Sequence, residues 1–535
     1  MMKTNGKASK ALALCLALLL MIGLFGTTAF AIGQDDTGII TVSGVEDGVT
    51  VSAYRLMDVN INANGQPQEP VYTWTNKVAG WVRANYSTYI GTGADNSVQS
   101  VFSSASADAI ATFYDALAAA IKSNAIADFT ATATETAAEG GATLSSLAMG
   151  NYLILIENGY KVYRPSAVNL VPEWDEDRWV MTSPAEVEVK SSDMTITKTV
   201  KAAGTADGKK ADHPSIGDTV TFDIVADVPH FPANALEKNY AISDILPNGL
   251  ALTANSIIVY GVNGEEETAL TNNGTVYYNQ GTVRPNNGGT SAFTLTFVYD
   301  TISSFEKIHI TYTATLTADA VLGEDGNVNN AYLDYSNNPY VEDSWIPKDD
   351  SATVYTYGLD ISKVDKDNHE TFLAGAEFEL YASQDDATNG VNKIAFIRES
   401  EGVYRKALAG ETGVVTTLVI GSGQNGSTLG KLILKGLDEA DWYLKETKAP
   451  DGYNLLAAPV KVTITDAKEG VLDGKVTDSD IVTGLVPLAV ENDDGFRLPV
   501  TGGMGTILFT AVGVVLMGAA VFLLIVGFKK KKAVN

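Results

Sequence analysis

Apolar and polar residues alternate with period two over most of the chain, in short runs separated by Gly, Asn and Asp turns. Thr219-Val220-Thr221-Phe222-Asp223-Ile224-Val225 and Phe293-Thr294-Leu295-Thr296-Phe297-Val298 are examples. Such runs predict short strands with one face in a core, assembled into β-sandwich modules. One region departs. Between Ser106 and Lys122, Ile110, Phe113, Leu117 and Ile121 recur at helical spacing, which predicts an amphipathic helix with Ser106 or Asp108 as cap. The fold class is therefore mainly β, with a small helical insert in the first module. The pattern divides the body into an N-terminal domain over 32–186, a middle domain over 191–350 and a third over 354–497.

The two ends change the picture by fixing the compartment. Lys3, Lys7 and Lys10 precede an apolar run from Ala11 to Phe25, closed by Ala29-Phe30-Ala31. This reads as a secretory signal over 1–31, cleaved after Ala31. At the other end, 504–528 carries no charge over 25 residues. A helix of that length, at about 1.5 Å per residue, is long enough for a bilayer core. Lys529, Lys530, Lys531 and Lys532 open a basic tail over 529–535, the expected cytoplasmic stop. Directly before the helix stands Leu498-Pro499-Val500-Thr501-Gly502. Pentapeptide, helix and lysines in this order resemble the sorting signal of Gram-positive surface proteins. That resemblance implies cleavage by a sortase between Thr501 and Gly502 and attachment to peptidoglycan.

Composition narrows the function. Among 535 residues, 64 Asp plus Glu oppose 37 Lys plus Arg, for a net charge of −27. That balance argues against a nucleic-acid surface, which needs clustered positive charge, and fits a self-repelling exposed protein. The 16 prolines and 49 glycines exclude collagen-like and wholly disordered classes. Four histidines and one cysteine leave little material for a metal or iron–sulfur centre, and no cofactor is expected. The lone Cys15 lies in the leader, so the exported chain has no disulfide. It must be held together in another way.

Three polar residues of the third domain occupy apolar-parity positions. Lys363 shares a strand face with Leu359 and Ile361, Glu446 with Trp442 and Leu444, and Asn492 with Leu488 and Val490. Buried, charged and unpaired, each ionisable group would cost several kcal/mol. Burial lowers the lysine pKa and frees a nucleophilic amine. A protonated Glu446 could donate to the Asn492 carboxamide oxygen and pass a proton to departing ammonia. The product would be a Lys363–Asn492 isopeptide bond between the first and last strands. The middle domain repeats the pattern. Lys198 lies among Met194, Ile196 and Val200, Asp244 has the parity of Ile242 and Leu246, and Asn329 that of Ala331 and Leu333. A Lys198–Asn329 bond promoted by Asp244 is expected, with Asn330 and Asn327 as alternative acceptors. The early strand Gly38–Ser43 has no lysine, so no such bond is expected in the N-terminal domain, although Asn151–Glu157 has a similar strand pattern.

Tyr443, Leu444, Glu446, Thr447, Ala449, Pro450, Gly452 and Tyr453 match the E-box of the isopeptide-forming fimbrial subunits of Gram-positive bacteria. Lys363-Val364-Asp365 and Glu491-Asn492 match the B-type collagen-adhesin-like module of the same proteins. The chain thus resembles a backbone pilin. The resemblance implies tandem immunoglobulin-like sandwiches of the collagen-adhesin A and B types, and an aspartate as the promoting acid of the middle module. It also implies a polymerising lysine at the junction of the first two domains. Val187-Glu188-Val189-Lys190 supplies one whose parity points it to solvent, although the family's Tyr-Pro pair before the lysine is missing. By resemblance, a class C sortase would join Thr501 to Lys190 of the next identical subunit, head to tail. Minor pilins and a possible host ligand would be further partners, a housekeeping sortase would complete anchoring, and the pilus would support adhesion. The alternative is a minor tip or basal pilin, or a singly anchored adhesin. Enzyme chemistry beyond single-turnover bond formation is not expected. Asp58–Gly65 has the wrong ligand spacing for a calcium loop, and His213, His230, His309 and His369 are scattered.

Overall fold

The computed structural model describes residues 32–175, 178–202, 208–232, 235–423, 428–466, 483–494 and 505–531. The leader expected over 1–31 and the pentapeptide 498–502 lie outside the described residues. The described body is mainly β, built from pairs of facing sheets.

The N-terminal region uses β1 (Thr37–Ser43), β2 (Thr50–Ile61), β3 (Gly141–Ala148), β4 (Gly150–Glu157) and β5 (Ala185–Glu188). One sheet runs β5-β1-β3, with β1 parallel to β5 and antiparallel to β3. The facing sheet runs Pro67–Trp74, β2, β4 and Ser166–Leu170. β4 reads Gly-Asn-Tyr-Leu-Ile-Leu-Ile-Glu, an apolar run too continuous for a strand with a wet face. Tyr152, Ile154 and Ile156 enter the sandwich core, while Leu153 and Leu155 face a second core built with helices. Two helices cover that second face, α1 (Asn76–Asn85) and α2 (Ala107–Lys122). α2 is the expected helix: Ser106 accepts a hydrogen bond from the Ala109 amide at 3.2 Å, and Phe113, Leu117 and Ile121 are buried. α1 was not foreseen. It is short, contains Gly80, and buries only Val78, Ala79 and Val82, so packing rather than propensity holds it.

The middle region contains β6 (Ile196–Ala202), β7 (Thr219–Asp227), β8 (Tyr240–Ile245), β9 (Thr290–Phe297), β10 (Lys307–Leu316), β11 (Asn327–Tyr335) and β12 (Ile346–Val354). One sheet runs β6-β7-β10 and continues through Ile258–Asn263 to Glu266–Ala269; the other contains β12-β11-β8-β9. Strict alternation in β7 and β10 puts Val220, Phe222 and Ile224 against Ile308, Ile310 and Tyr312 in one core.

The third region contains β13 (Tyr357–Asp365), β14 (Glu377–Tyr381), β15 (Lys431–Leu437), β16 (Asp441–Lys448) and β17 (Leu485–Asn492). β13 lies between β15 and β17 and is parallel to β17, with Lys363 opposite Val490 and Asp365 opposite Asn492. β14 and β16 pair in the facing sheet. C-terminal to these, the backbone forms α3 (Gly505–Lys531), with side chains described over 510–525. Among the described residues no helix is long and apolar enough to cross a membrane, so the span expected over 504–528 has no support there.

The regions touch through specific groups. Between β11 and β12 the chain carries Tyr340 into the helical core of the N-terminal region, where its hydroxyl donates to Asp115 Oδ1 at 2.6 Å. Asn337 Nδ2 donates to the Gly159 carbonyl at 2.7 Å. Between the middle and third regions, Ile216 N donates to Gly436 O at 3.0 Å, and Ser215 Oγ donates to Asp438 Oδ1 at 3.0 Å.

Candidate functional site

In the third region the pleat alternates, so β13 turns Lys363 inward beside Leu359 and Ile361, and its side chain is fully buried. Parallel pairing with β17 carries Asn492 to the same place. Lys363 Nζ donates to Asn492 Oδ1 and, at 3.0 Å, to the Val490 carbonyl. Glu446 comes from the opposite sheet: Oε1 lies 3.7 Å from Lys363 Nζ, and Oε2 accepts from Asn492 Nδ2 at 3.1 Å and Leu456 N at 2.9 Å. The Asn454 carbonyl also accepts from Asn492 Nδ2, at 2.7 Å, which fixes the nitrogen on that side. The expectation that Glu446 would donate to the carboxamide oxygen is therefore corrected. Glu446 faces the nitrogen, and the lysine faces the oxygen. Burial pulls the Lys363 pKa down to about 8, against the opposing pull of the Glu446 carboxyl. Oε1 of Glu446 has no hydrogen-bond partner among the described residues, so it is the open position for a proton.

In the middle region the same three residue types meet across the sandwich. Lys198 comes from the β6 sheet, while Asp244 on β8 and Asn329 on β11 sit on adjacent strands of the other sheet. All three side chains have 0% exposure. Lys198 Nζ donates to Asp244 Oδ2 and, at 2.9 Å, to the Tyr312 hydroxyl. Asn329 Nδ2 donates to the same hydroxyl at 2.7 Å. Burial pushes the Lys198 pKa down and the Asp244 pKa up, so both are driven toward their neutral forms. Asp244 Oδ1 and Asn329 Oδ1 have no hydrogen-bond partner among the described residues. Of the alternative acceptors, Asn327 is spent on the backbone of Val321 and Val354, and Asn330 is half-buried on the opposite parity.

Tyr312 was missed by the sequence reading. Its signal was available: it shares parity with Ile308, Ile310 and Ala314, so its hydroxyl had to be buried and needed a partner. Phe222 stacks on its ring at 5.4 Å and Phe293 meets it edge-on at 5.1 Å.

The N-terminal region brings an amine to Glu157, but from a helix rather than the early strand. Lys122 Nζ at the end of α2 pairs with Glu157 Oε2 at 2.6 Å, and both side chains keep some exposure, 12% and 28%. At the junction to the middle region Val189 is buried and Lys190 exposed. The backbone there is pinned, Val189 N donating to Ser43 O at 3.0 Å and Arg164 N to Lys190 O at 2.9 Å. Asp58–Gly65 forms the end of β2 and a hairpin turn in which Asn62 Oδ1 accepts from the amides of Asn64 at 2.9 Å and Gln66 at 3.1 Å.

Comparison with known proteins adds three family matches. Residues 358–478 match the SpaA prealbumin-like fold domain, 216–339 the Cna-B-like domain of Gram-positive pilin backbone subunit 2, and 491–535 the LPXTG cell wall anchor motif. The chain is 25% identical to the trypsin-resistant surface T6 protein of Streptococcus pyogenes serotype M6, over 97% of this chain and 99% of that one. It is 24% identical to fimbrial subunit type 2 of Actinomyces naeslundii, over 62% of this chain and 61% of the relative. The solved T6 backbone pilin of S. pyogenes aligns at TM-score 0.55 and 20% identity, covering 87% of this chain and 100% of that one, a likeness of fold. The anchor match marks a surface protein attached to the cell wall.

Proposed function

Taking the chain as a wall-attached Gram-positive LPxTG major pilin, we propose that it is the shaft subunit of a covalent pilus, built from modules 32–186, 191–350 and 354–497. The observation that carries the reading is the pair of buried sites, each gathering a lysine amine, an asparagine carboxamide and a carboxyl group into one cluster. The relatives named as fimbrial subunits and as a backbone pilin support the role.

In the third module, Lys363 gives one proton to the open Oε1 of Glu446, and the neutral amine attacks Cγ of Asn492. The carboxamide nitrogen, already against Glu446 Oε2, takes up a proton and leaves as ammonia as the new C–N bond closes. Amine plus carboxamide becomes amide plus ammonia, with no oxidant required. The dry pocket favours neutral reactants, and adjacency on paired strands supplies proximity. Lys198, Asp244 and Asn329 follow the same balance. Before sorting, the apolar segment 504–528 holds the precursor at the membrane. A sortase then cleaves after Thr501 and passes its carbonyl to Lys190 of the next subunit, giving a heterologous head-to-tail fibre.

Mass spectrometry of the mature chain tests this. The expected mass is short of the encoded one by two ammonia molecules, and by one in Glu446→Ala or Asp244→Ala. A wild-type chain at its full encoded mass sinks the proposal. The missing Tyr-Pro pair before Lys190 favours a second reading, a minor pilin or a singly anchored adhesin, which retains both cross-links but does not polymerise through Lys190.

A further inference from the structure

Resting on the isopeptide reading of the middle module, we infer that Tyr312 is a catalytic residue of that site, whose hydroxyl relays a proton from the attacking Lys198 amine to the departing Asn329 nitrogen. The two sites differ in how the acid reaches the reacting nitrogens. In the third module one glutamate touches both reacting nitrogens, at 3.7 Å from Lys363 Nζ and 3.1 Å from Asn492 Nδ2. In the middle module the acid is an aspartate, one methylene shorter. Asp244 takes the lysine through Oδ2 and lies beside the Tyr312 hydroxyl and the Asn329 carboxamide, but its Oδ1 makes no hydrogen bond of ordinary geometry among the described residues. The group that bridges the two nitrogens is the Tyr312 hydroxyl, 2.9 Å from Lys198 Nζ and 2.7 Å from Asn329 Nδ2.

A phenol in that position accepts a proton on one side as it donates one on the other. Lys198, as ammonium, gives one proton to the Asp244 carboxylate and attacks Cγ of Asn329. The tetrahedral intermediate then passes a second proton from Nζ to Tyr312 Oη, while the Tyr312 proton goes to Nδ2. The Cγ–Nδ2 bond breaks and ammonia leaves. Five protons are shared among amine, carboxamide and carboxylate before the step. Afterwards one is on the new amide, three are on ammonia and one is on Asp244. Tyr312 ends as it began. Burial and the neighbouring Asp244 carboxyl raise the Tyr312 pKa well above 10, so the phenol stays protonated and serves as a relay, not as a stored base. Phe222 and Phe293 hold its ring from two sides, and β10 holds its backbone, so the hydroxyl has little freedom to leave the line between the nitrogens.

Tyr312→Phe keeps the ring and deletes only the hydroxyl. The full chain is pulse-labelled during synthesis, and digestion and mass spectrometry then follow the Lys198–Asn329 and Lys363–Asn492 linked peptides over time. The expected result is formation of the first link slowed by about 100-fold, the scale of general acid–base assistance, with the second at the wild-type rate. Melted before its slowed link has formed, Tyr312→Phe should match Asp244→Ala, which lacks the link but keeps the phenol. A first link that forms at the wild-type rate overturns the relay. Melting far below that of Asp244→Ala also overturns it, because the hydroxyl would then be needed for the fold. A wild-type chain without the Lys198–Asn329 link overturns the reading on which the inference rests, separately from the role of Tyr312.

Discussion

His309 sits on β10 with its ring between two carboxylates, Nε2 at 3.0 Å from Asp223 and Nδ1 at 2.7 Å from Glu267. Asp223 first, and Glu267 after it, raise the His309 pKa above its usual 6.5, against burial. Lys201 at 2.9 Å shares Asp223; burial pushes the Asp223 pKa up, but its bonds to His309 and Lys201 outweigh that and bring it down to about 2. A raised folded-state pKa stabilises the protonated ring. Its contribution is fully present below about pH 6.5 and is lost as pH rises through the higher folded value. The melting temperature of the wild type should therefore decline as pH rises above 6.5, and His309→Gln should flatten that decline. An unchanged slope in the variant would remove His309 as its cause. None of this was legible in the sequence, where His309 was one of four scattered histidines. Glu267 reaches it only because Glu266–Ala269 folds back as the edge of the same sheet.

At the scale of elements, the connection between β11 and β12 acts as a latch. Tyr340 is 4% exposed although it belongs to the middle region, because it completes the core beneath α2. Removing a buried aromatic of this size costs about 3–5 kcal/mol. Tyr340→Ala should lower the melting of the N-terminal module and open the 336–345 connection to protease, leaving the middle and third modules unchanged. Calorimetry with limited proteolysis reads both, and one undivided shift of all three modules would refute the latch. The helix it covers was readable from its 3.6-residue period and its Ser106 cap, but the latch was not. Tyr340 lies in a stretch of Ser, Asn, Pro and Asp that carries no periodicity. α1 is hidden for a related reason: its buried apolar stripe is three residues long and gains its worth only in a core shared with β2, β4 and α2.

Across the whole molecule, the two buried sites lie in the modules that separate Lys190 from Thr501, and the N-terminal module stands outside that interval. In a fibre joined through those two residues, tension would run through the cross-linked modules. Lys190→Ala should abolish the high-molecular-weight ladder in wall extracts while leaving both ammonia losses intact. Ladders that persist would transfer the role to another lysine or favour the singly anchored reading. The strong negative charge makes neighbouring shafts repel, so covalent joining is the expected source of length.

Period-two patterning by itself put Lys363, Glu446 and Asn492, and likewise Lys198, Asp244 and Asn329, on core faces, because a pleated strand leaves no choice of side once its neighbours are apolar. Order along the chain likewise sufficed for the wall-sorting signal, since its parts are contiguous. Tertiary structure alone decided which atoms of those groups meet. It turned the Glu446 carboxyl to the carboxamide nitrogen, gave Asn327 backbone partners while Asn329 faces the buried cluster, and set Tyr312 between the two nitrogens. These are contacts between strands distant in sequence, fixed by sheet register and by how one sheet lies over the other, and parity along a single strand carries no information about either.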